Sequence, residues 1–250
     1  MNMNKITDTV KHLLIINIIM FVATMAIGQI QFNNLFALHY PDNNVFKPWQ
    51  VVTHMFMHGS LMHLVFNMFA LWMFGTAVEQ RLGSKKFIIL YFAAGLGAVL
   101  FQLGVDYINY SRIMLELQAS GISMDAISNI FTTGQWNFAT SPLQNEQIND
   151  VFQIFNATMV GASGCIMGIL VAFGILNPNS ELMLIFLPIP IKAKYFIPLL
   201  VGYDIVSGFL GSPSVFGMNV AHWAHVGGAV MGLIIMLFWK QNSFNKYRID

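Results

Sequence analysis

The sequence predicts an all-α integral membrane protein folded as one bundle of six transmembrane helices. Of its 250 residues, 56% are hydrophobic and 9% are charged, whereas a soluble domain carries roughly 25% charged residues. The apolar residues form six stretches of roughly 17 to 25 residues, the length that a helix needs to cross the hydrocarbon core of a bilayer. A chain of this length fits a single domain over residues 1–250 rather than two domains.

The six apolar stretches are the candidate transmembrane helices, and the first needs a separate argument. It follows Lys5 and Lys11, as the apolar part of a signal peptide would. Its apolar run is longer than the roughly 7 to 15 residues of a signal peptide, so we interpret it as an uncleaved span. The predicted spans lie near residues 12–31, 59–79, 86–105, 159–177, 194–211 and 221–239.

The lysine and arginine residues predict the orientation of the bundle, because cytoplasmic connections of membrane proteins carry an excess of them. If the N-terminus is cytoplasmic, Lys47 and Arg112 fall on the outer side. We therefore expect both termini in the cytoplasm, and the short connections without further domains favour a bacterial plasma (inner) membrane. The basic residues then on the cytoplasmic side are Lys5, Lys11, Arg81, Lys85, Lys86, Lys192, Lys194, Lys240, Lys246 and Arg248.

Two connections between the predicted spans are unusual. Segment 32–58 is only weakly polar and carries Phe46 and Trp49, so we expect it to dip into the membrane interface, where aromatic residues are common. Segment 106–158 is far longer than most connections, and we interpret it as a long external insertion. Apolar residues spaced along it predict one or two surface helices. These residues are Ile113, Leu117, Ile122 and Ile127.

Several function classes are disfavoured. The net charge of +1 argues against nucleic acid as a partner, and the single cysteine, Cys165, cannot form an internal disulfide. His54 and His58 would share a helix face, but His63 would lie roughly 140° further round, so one helix cannot present all three to a metal ion. We therefore expect no metal and no other cofactor. The lack of an internal sequence repeat counts against a repeat-built transporter. The oligomeric state is left open.

Two polar residues in the second predicted span are typical of a group that stabilises negative charge. His63 and Asn67 are four residues apart, about 40° around a helix axis, so their side chains point the same way. Each can donate a hydrogen bond, and two converging donors on a rigid helix are what a developing oxyanion requires. The same residues could instead bond a neighbouring helix, as polar residues in membranes commonly do.

Ser163 and His225 are the candidate nucleophile and general base. Both lie in apolar stretches, where polar side chains are costly enough to indicate a function. Ser163 stands in a Gly-Ala-Ser-Gly run at a predicted helix N-terminus, whose N–H groups could also serve as oxyanion donors. The run does not match the elbow of the α/β-hydrolases, which needs glycine where Cys165 stands. The alternative is a serine that bonds its own helix backbone.

The residues around His225 leave its partners open. Gly228 and Gly232 form a G-x-x-x-G pattern, which lets two helix backbones approach closely. Such packing could bring His225 within reach of Ser163, or it could serve packing alone. Asp204, the only carboxylate well inside a predicted span, could be a third catalytic member or could bond a neighbouring helix. Because nothing in the spacing places an acidic residue to orient His225, a dyad is the simpler hypothesis.

Together these motifs resemble the rhomboid family of intramembrane serine proteases. The serine motif of that family's fourth span is similar to residues 161–164, and the histidine motif of its sixth span is similar to residues 224–228. The motifs occur in the family's order over about residues 10–240. The H-x-x-x-x-H-x-x-x-N and E-x-R motifs of the family's second span are matched by His58, His63, Asn67, Glu79 and Arg81.

The resemblance implies a six-helix rhomboid bundle around a water-filled cavity open to the outer face, and a protease that cuts other membrane proteins in or near a transmembrane helix. Ser163 would attack the peptide carbonyl while His225 acts as general base and then as acid. Substrate helices would unwind first, since an intact helix holds its carbonyls in its own hydrogen bonds. His58 would sit at the cavity mouth. The resemblance implies that His63, Asn67 and the Ser163 N–H hold the oxyanion, with Gly161 as a supporting residue. It also implies that Glu79 and Arg81 are structural, and the G-x-x-x-G pattern gives Gly228 and Gly232 a structural role as well.

Three features depart from the family's pattern. Trp49 is followed by Gln50 where the family often has arginine, and Met167 stands where an aromatic residue usually stacks on the histidine. The insertion at 106–158 is longer than in small family members. Two other functions stay open: a non-catalytic rhomboid-like protein that binds and escorts membrane proteins, and a transporter or channel that relays protons through buried histidines.

Overall fold

The computed structural model describes residues 6–136, 140–184, 187–211 and 220–245, and these residues are mostly helical. Part of the predicted orientation rests on Lys5, Lys246 and Arg248, which lie outside the described residues. The cytoplasmic position of both termini therefore stays a prediction.

Within the described ranges, five helical segments are long and apolar enough to cross a membrane. The second of them consists of two α-helices joined without a break by a π-helical stretch, Leu71–Gly75. The five segments correspond to five of the six predicted spans. They are α1 (Asp8–Ile27), α4 with α5 (Leu61–Ala70 and Thr76–Leu82), α6 (Ser84–Ala119), α10 (Ala193–Leu210) and α11 (His222–Asn245).

The remaining predicted span is shorter than expected. It forms α9 (Ser163–Leu176), which has 14 residues and is therefore about 21 Å long, less than the roughly 30 Å of a bilayer's hydrocarbon core. Nine of its residues are buried, so α9 is enclosed by the other helices. Six full-length spans are thus not what the structure shows. The short central helix begins at Ser163, inside the bundle.

Two helix ends differ from the predicted ones. The first span was expected to reach residue 31, but α1 stops at Ile27 because Gly28 has a φ of 112°, a conformation that only glycine adopts readily. The third span was expected to end at residue 105, and α6, the helix that contains it, continues to Ala119. The polar residues at that point are accommodated within the helix, where Gln102 Nε2 donates to Asp106 Oδ1 at 3.0 Å.

The long insertion after residue 105 forms a small helical unit on the extended end of α6. It contains α7 (Met124–Thr133) and α8 (Pro142–Asn156), two helices where one or two were expected. Ser123 caps α7, and α8 begins with a reciprocal capping box between Ser141 and Gln144. These helices enclose a second hydrophobic core, which includes all four apolar residues that predicted it. Its buried residues are Ile113, Met114, Leu117, Ile122, Ile127, Ile130, Ile148 and Val151.

The prediction of an all-α protein missed two small antiparallel sheets. In the first, β1 (Leu38–His39) pairs with β2 (Thr158–Met159), which ties the segment before α4 to the segment before α9. In the second, β3 (Glu181–Leu184) pairs with β4 (Leu187–Lys192). Strands of two to six residues are too short to produce a clear alternating pattern in the sequence.

Three short helical elements precede α4. They are α2 (Gln29–Phe36), α3 (Gln50–Thr53) and a 3₁₀ turn (His54–Phe56). The side chain of Trp49 is half exposed, and its Nε1 donates to the Leu35 carbonyl at 2.8 Å. That this segment dips into the membrane interface stays a prediction.

Glycines bring α6, α9 and α11 into backbone contact. A Cβ atom added at Gly228 would collide with the Gly164 carbonyl, and one added at Gly232 would lie 2.6 Å from Gly168 Cα. Two helices can approach this closely only where side chains are absent. The G-x-x-x-G pattern of α11 therefore meets a second pair of glycines on α9, the helix that carries Ser163.

Glu79 and Arg81 make structural contacts at the end of α5. The Glu79 carboxylate accepts hydrogen bonds from Thr7 Oγ1 at 2.5 Å and from the Val10 N–H at 3.0 Å, so it caps the N-terminus of α1. It also accepts from Ser84 Oγ at 2.6 Å, at the start of α6. Arg81 donates to Asn177 Oδ1 at 3.4 Å, beyond the end of α9. These contacts fasten three helix ends together.

Candidate active site

A cavity of about 490 Å³ lies where the N-termini of α4, α9 and α11 meet. Its wall includes the four residues that the sequence singled out for chemistry, together with backbone of the β2 strand. The four residues are His63, Asn67, Ser163 and His225.

The start of α4 presents the two expected donors. Ser60 begins the helix by accepting a hydrogen bond from the His63 N–H at 3.2 Å. His63 and Asn67 both reach the cavity wall, as their four-residue spacing predicted. In the described part of the chain, Asn67 Nδ2 is buried and has no hydrogen-bond partner. A buried unpaired donor costs free energy, so its place on the cavity wall indicates a role toward a bound group.

Gly161 shapes the approach to Ser163. Its φ of 129° disfavours any side chain, and an added Cβ would lie 2.8 Å from His63 Nε2 and 3.7 Å from Ser163 Oγ. The Gly161 N–H donates to the His54 carbonyl at 3.0 Å, so it is already engaged. Gly161 therefore supports the site by giving the His63 ring room and by holding the chain in place ahead of α9.

Ser163 is the first residue of α9 and is partly buried. The N–H groups of a helix's first turn have no intrahelical acceptor, so the Ser163 N–H is available as a donor at the same point as its hydroxyl. The positive end of the helix dipole also lies there. One residue thus offers a hydroxyl and a backbone donor to the cavity.

His225 contacts Asp204, which the sequence left open between two roles. His225 Nδ1 lies 3.1 Å from Asp204 Oδ2 and 3.2 Å from Oδ1. The same carboxylate lies 2.6 Å from His222 Nδ1, one turn earlier on α11. An ionised carboxylate only accepts hydrogen bonds, so Nδ1 of His225 carries the hydrogen and Nε2 is its basic nitrogen.

Ser163 and His225 line the same cavity, but no hydrogen bond joins them among the described residues. Their helices are in backbone contact through Gly164, one residue after Ser163, and Gly228, three residues after His225. Catalytic hydrogen bonds are often long in a site without substrate and tighten when substrate binds. The structure therefore brings the two side chains to one wall in an open arrangement.

His58 is placed differently from the expected cavity mouth. Its side chain is 1% exposed and packs edge-on against the His63 ring, with centroids 5.0 Å apart. It is not part of the cavity wall, because the turn before α4 folds it behind His63. Burial, with a smaller contribution from His63, lowers the pKa of His58 to about 3. His58 is therefore a neutral ring that supports His63 from behind.

The described residues contain no group of three His, Cys, Asp or Glu side chains arranged to hold a metal ion. His54 Nδ1 instead bonds the Gln50 carbonyl at 2.9 Å. The sequence reasoning missed β2, whose residues Thr158 and Met159 form part of the cavity wall. Nothing in a two-residue strand would have indicated it.

Comparison with known proteins gives an independent assignment of the family. Residues 45–242 match the Rhomboid domain. The chain is also similar to proteins named Rhomboid protease GlpG: it is 49% identical over 51 residues to that of Salmonella choleraesuis (strain SC-B67), and 53% identical over 45 residues to that of Salmonella newport (strain SL254). These segments are 20% and 18% of this chain, and 18% and 16% of those proteins. The chain thus spans under a fifth of the length of the curated relatives it matches.

The family match covers most of the chain and includes all three helices that line the cavity. The apolar helices agree with it, since they require a bilayer as solvent. The chain is an integral membrane protein that belongs to the rhomboid family.

Proposed function

We propose that this protein is an intramembrane serine endopeptidase that cuts transmembrane segments of other membrane proteins. The observation that carries the proposal is the convergence of Ser163, His225, His63 and Asn67 on one cavity. Its volume of about 490 Å³ falls within the roughly 300 to 1,000 Å³ of typical ligand sites. A nucleophile, an imidazole and buried donors are the groups that acyl transfer needs.

In the first half of the reaction, Ser163 Oγ forms a bond to the carbonyl carbon of the scissile peptide while its proton passes to His225 Nε2. The carbonyl oxygen becomes an oxyanion, which accepts hydrogen bonds from His63, Asn67 Nδ2 and the Ser163 N–H. The C–N bond then breaks, and His225 gives the same proton to the leaving amine. Ser163 is left as an acyl ester.

In the second half, a water molecule attacks the ester carbon and His225 Nε2 takes its proton. The tetrahedral intermediate places its negative oxygen at the same donors. When it collapses, the Ser163 oxygen leaves as the alcohol by taking the proton back from His225. The product carboxylic acid departs and loses its proton to water, and the protein returns to its starting state.

The substrates are transmembrane segments that unwind near the cut. A helix hides its carbonyls in its own hydrogen bonds, so residues that weaken a helix and a small side chain before the cut favour cleavage, as the family resemblance implies. The placement of the basic residues supports a cavity that opens on the outer side of the membrane. Together with relatives from Salmonella, it supports a bacterial inner membrane as the location.

Two other functions compete with proteolysis. An escort protein would bind membrane segments without cutting them, but it would have no need of Ser163 and His225 on one cavity wall. A proton relay through the histidines would work without the Ser163 hydroxyl. The buried, unpaired donor on Asn67 favours chemistry at a carbonyl over both alternatives.

The test is cleavage of a panel of single-span fusion proteins in proteoliposomes, their spans differing in glycine and proline content. We expect fragments from the wild-type protein, cut within the less stable spans, and none from Ser163→Ala or His225→Ala. Fragments that persist in Ser163→Ala would contradict the proposal. Stable capture of the uncut spans by the wild-type protein would favour the escort function.

A further inference from the structure

A single carboxylate on α10 contacts two imidazoles on α11. Asp204 Oδ1 lies 2.6 Å from His222 Nδ1 and 3.2 Å from His225 Nδ1, and Oδ2 lies 3.1 Å from His225 Nδ1. Asp204 is 3% exposed. Removing a charge from water costs several kcal/mol unless it is well paired, so the position of this carboxylate requires an explanation.

The simpler explanation is a structural one. The bond to His222 is the shorter of the two, and it alone would tie α10 to α11, as polar residues within membranes often do. It does not account for the second oxygen. Oδ2 is directed at the ring of His225, and in the described chain Asp204 supplies the side-chain hydrogen bonds of that ring.

The contact with His225 determines two properties of the ring. A carboxylate that accepts from Nδ1 fixes the tautomer in which Nε2 is unprotonated and basic. It also fixes the ring plane, which keeps Nε2 on the side of the cavity that His225 lines. A ring without this partner could rotate or adopt the other tautomer, and neither form would accept a proton from Ser163.

We propose that Asp204 is a positioning residue for His225, which holds the ring of the Ser163–His225 pair in the tautomer and orientation that the reaction needs. The inference rests on the proposed protease function. Asp204 stays ionised throughout the reaction. The proton moves only between Ser163 Oγ, His225 Nε2 and the leaving group, while the carboxylate holds the Nδ1 hydrogen and stabilises the imidazolium.

The key variant is Asp204→Asn, which keeps the size of the side chain and removes its charge. We expect labelling of Ser163 by a fluorophosphonate, which phosphonylates the hydroxyl with loss of fluoride, and kcat for any cleaved substrate to fall about 10⁴-fold, as when the carboxylate of a serine-protease triad is replaced by its amide. KM should stay nearly unchanged, because Asp204 does not touch substrate. Asp204→Glu keeps the charge and should recover part of the rate.

The matched control is His222→Asn, which keeps an N–H donor for the same carboxylate. If Asp204 only ties α10 to α11, both variants should change the stability of the protein, and the fluorophosphonate should label Ser163 at close to the wild-type rate. Under the proposal, the fluorophosphonate labels Ser163 of His222→Asn at a rate within a few-fold of the wild type. Asp204→Asn is labelled far more slowly. If Ser163 is labelled at equal rates in folded Asp204→Asn and in the wild type, the proposal is overturned.

A measurement without substrate separates this proposal from the proposed protease function. ¹⁵N NMR of protein labelled at histidine, with His225 assigned by its loss in His225→Ala, reports which ring nitrogen carries the hydrogen. We expect Nδ1–H in the wild type and a shift toward Nε2–H in Asp204→Asn. An Nε2–H tautomer in the wild type would overturn the positioning role even if no Asp204 variant folds. If the wild type shows Nδ1–H at His225 but Ser163 is never labelled, the contact with Asp204 is supported and the protease function is refuted.

Discussion

Gly228 of α11 lies directly against the backbone of Gly164 in α9, leaving no space for a side chain between them. These glycines follow Ser163 by one residue and His225 by three. The packing of two helices and the juxtaposition of the two candidate catalytic residues therefore have the same cause. We therefore predict that a change at this contact lowers both the stability of the protein and its activity.

Gly228→Ala tests this coupling. The new methyl group would collide with the Gly164 carbonyl, and overpacking of this kind costs about 1–3 kcal/mol. We expect a lower unfolding temperature in detergent and slower fluorophosphonate labelling. Gly104→Ala on α6 is the control, because an added Cβ there meets nothing within 4 Å. A Gly228→Ala protein with wild-type stability and labelling would show that the contact is not needed.

Asn67→Ala tests the oxyanion role. The Asn67 Nδ2 donor is buried and unpaired in the described structure, so its removal should leave the ground state almost unaffected. Losing one oxyanion donor lowers kcat by about 10²- to 10³-fold, with little change in KM. Asn17→Ala serves as the control: Asn17 bonds its own helix at Leu13, so this change should affect stability alone. If kcat is unchanged in Asn67→Ala, Asn67 is structural.

Gly161→Ala tests the space beside His63. The methyl group would lie 2.8 Å from the His63 ring, so the ring must move. We therefore expect slower labelling of Ser163 by a fluorophosphonate. Gly121→Ala separates this clash from backbone strain, because Gly121 also has a positive φ, 91°, but open space around it. Both variants should lose stability by about 1–2 kcal/mol of left-handed strain, measured by thermal unfolding. If Ser163 is labelled at the same rate in the two variants, the position of the His63 ring does not affect the reaction.

Glu79→Gln tests whether the E-x-R motif is structural. Its carboxylate caps α1 and bonds Ser84, and hydrogen bonds to a charged group contribute about 1.5–3 kcal/mol each. We expect a lower unfolding temperature and an unchanged kcat at temperatures where the variant is folded. Glu116→Gln on the exposed end of α6 is the control and should change neither quantity much. A large loss of kcat in folded Glu79→Gln would mean that the motif acts on the cavity.

The sequence singled out the four polar residues His63, Asn67, Ser163 and His225, which line the cavity, because local spacing relates them to helix faces and ends. A four-residue interval places His63 and Asn67 on one helix face, and the Gly228/Gly232 pair identifies the face of α11 that packs closely against another helix. Asp204 could not be assigned, since its contact with His225 depends on how α10 is rotated against α11, which local periodicity does not specify. The continuation of α6 to Ala119 was missed because polar residues after 105 looked like a connection.

The most direct test of the proposed catalytic pair is to find which serine a fluorophosphonate labels in detergent-purified protein, with the phosphonyl adduct mapped by mass spectrometry. We predict an adduct on Ser163 in the wild type and none in His225→Ala. Ser60 lies on the wall of the same cavity but caps α4 and has no imidazole base assigned to it, so it serves as an internal control. An adduct on Ser60 instead of Ser163, or labelling of Ser163 at the same rate without His225, would contradict the account.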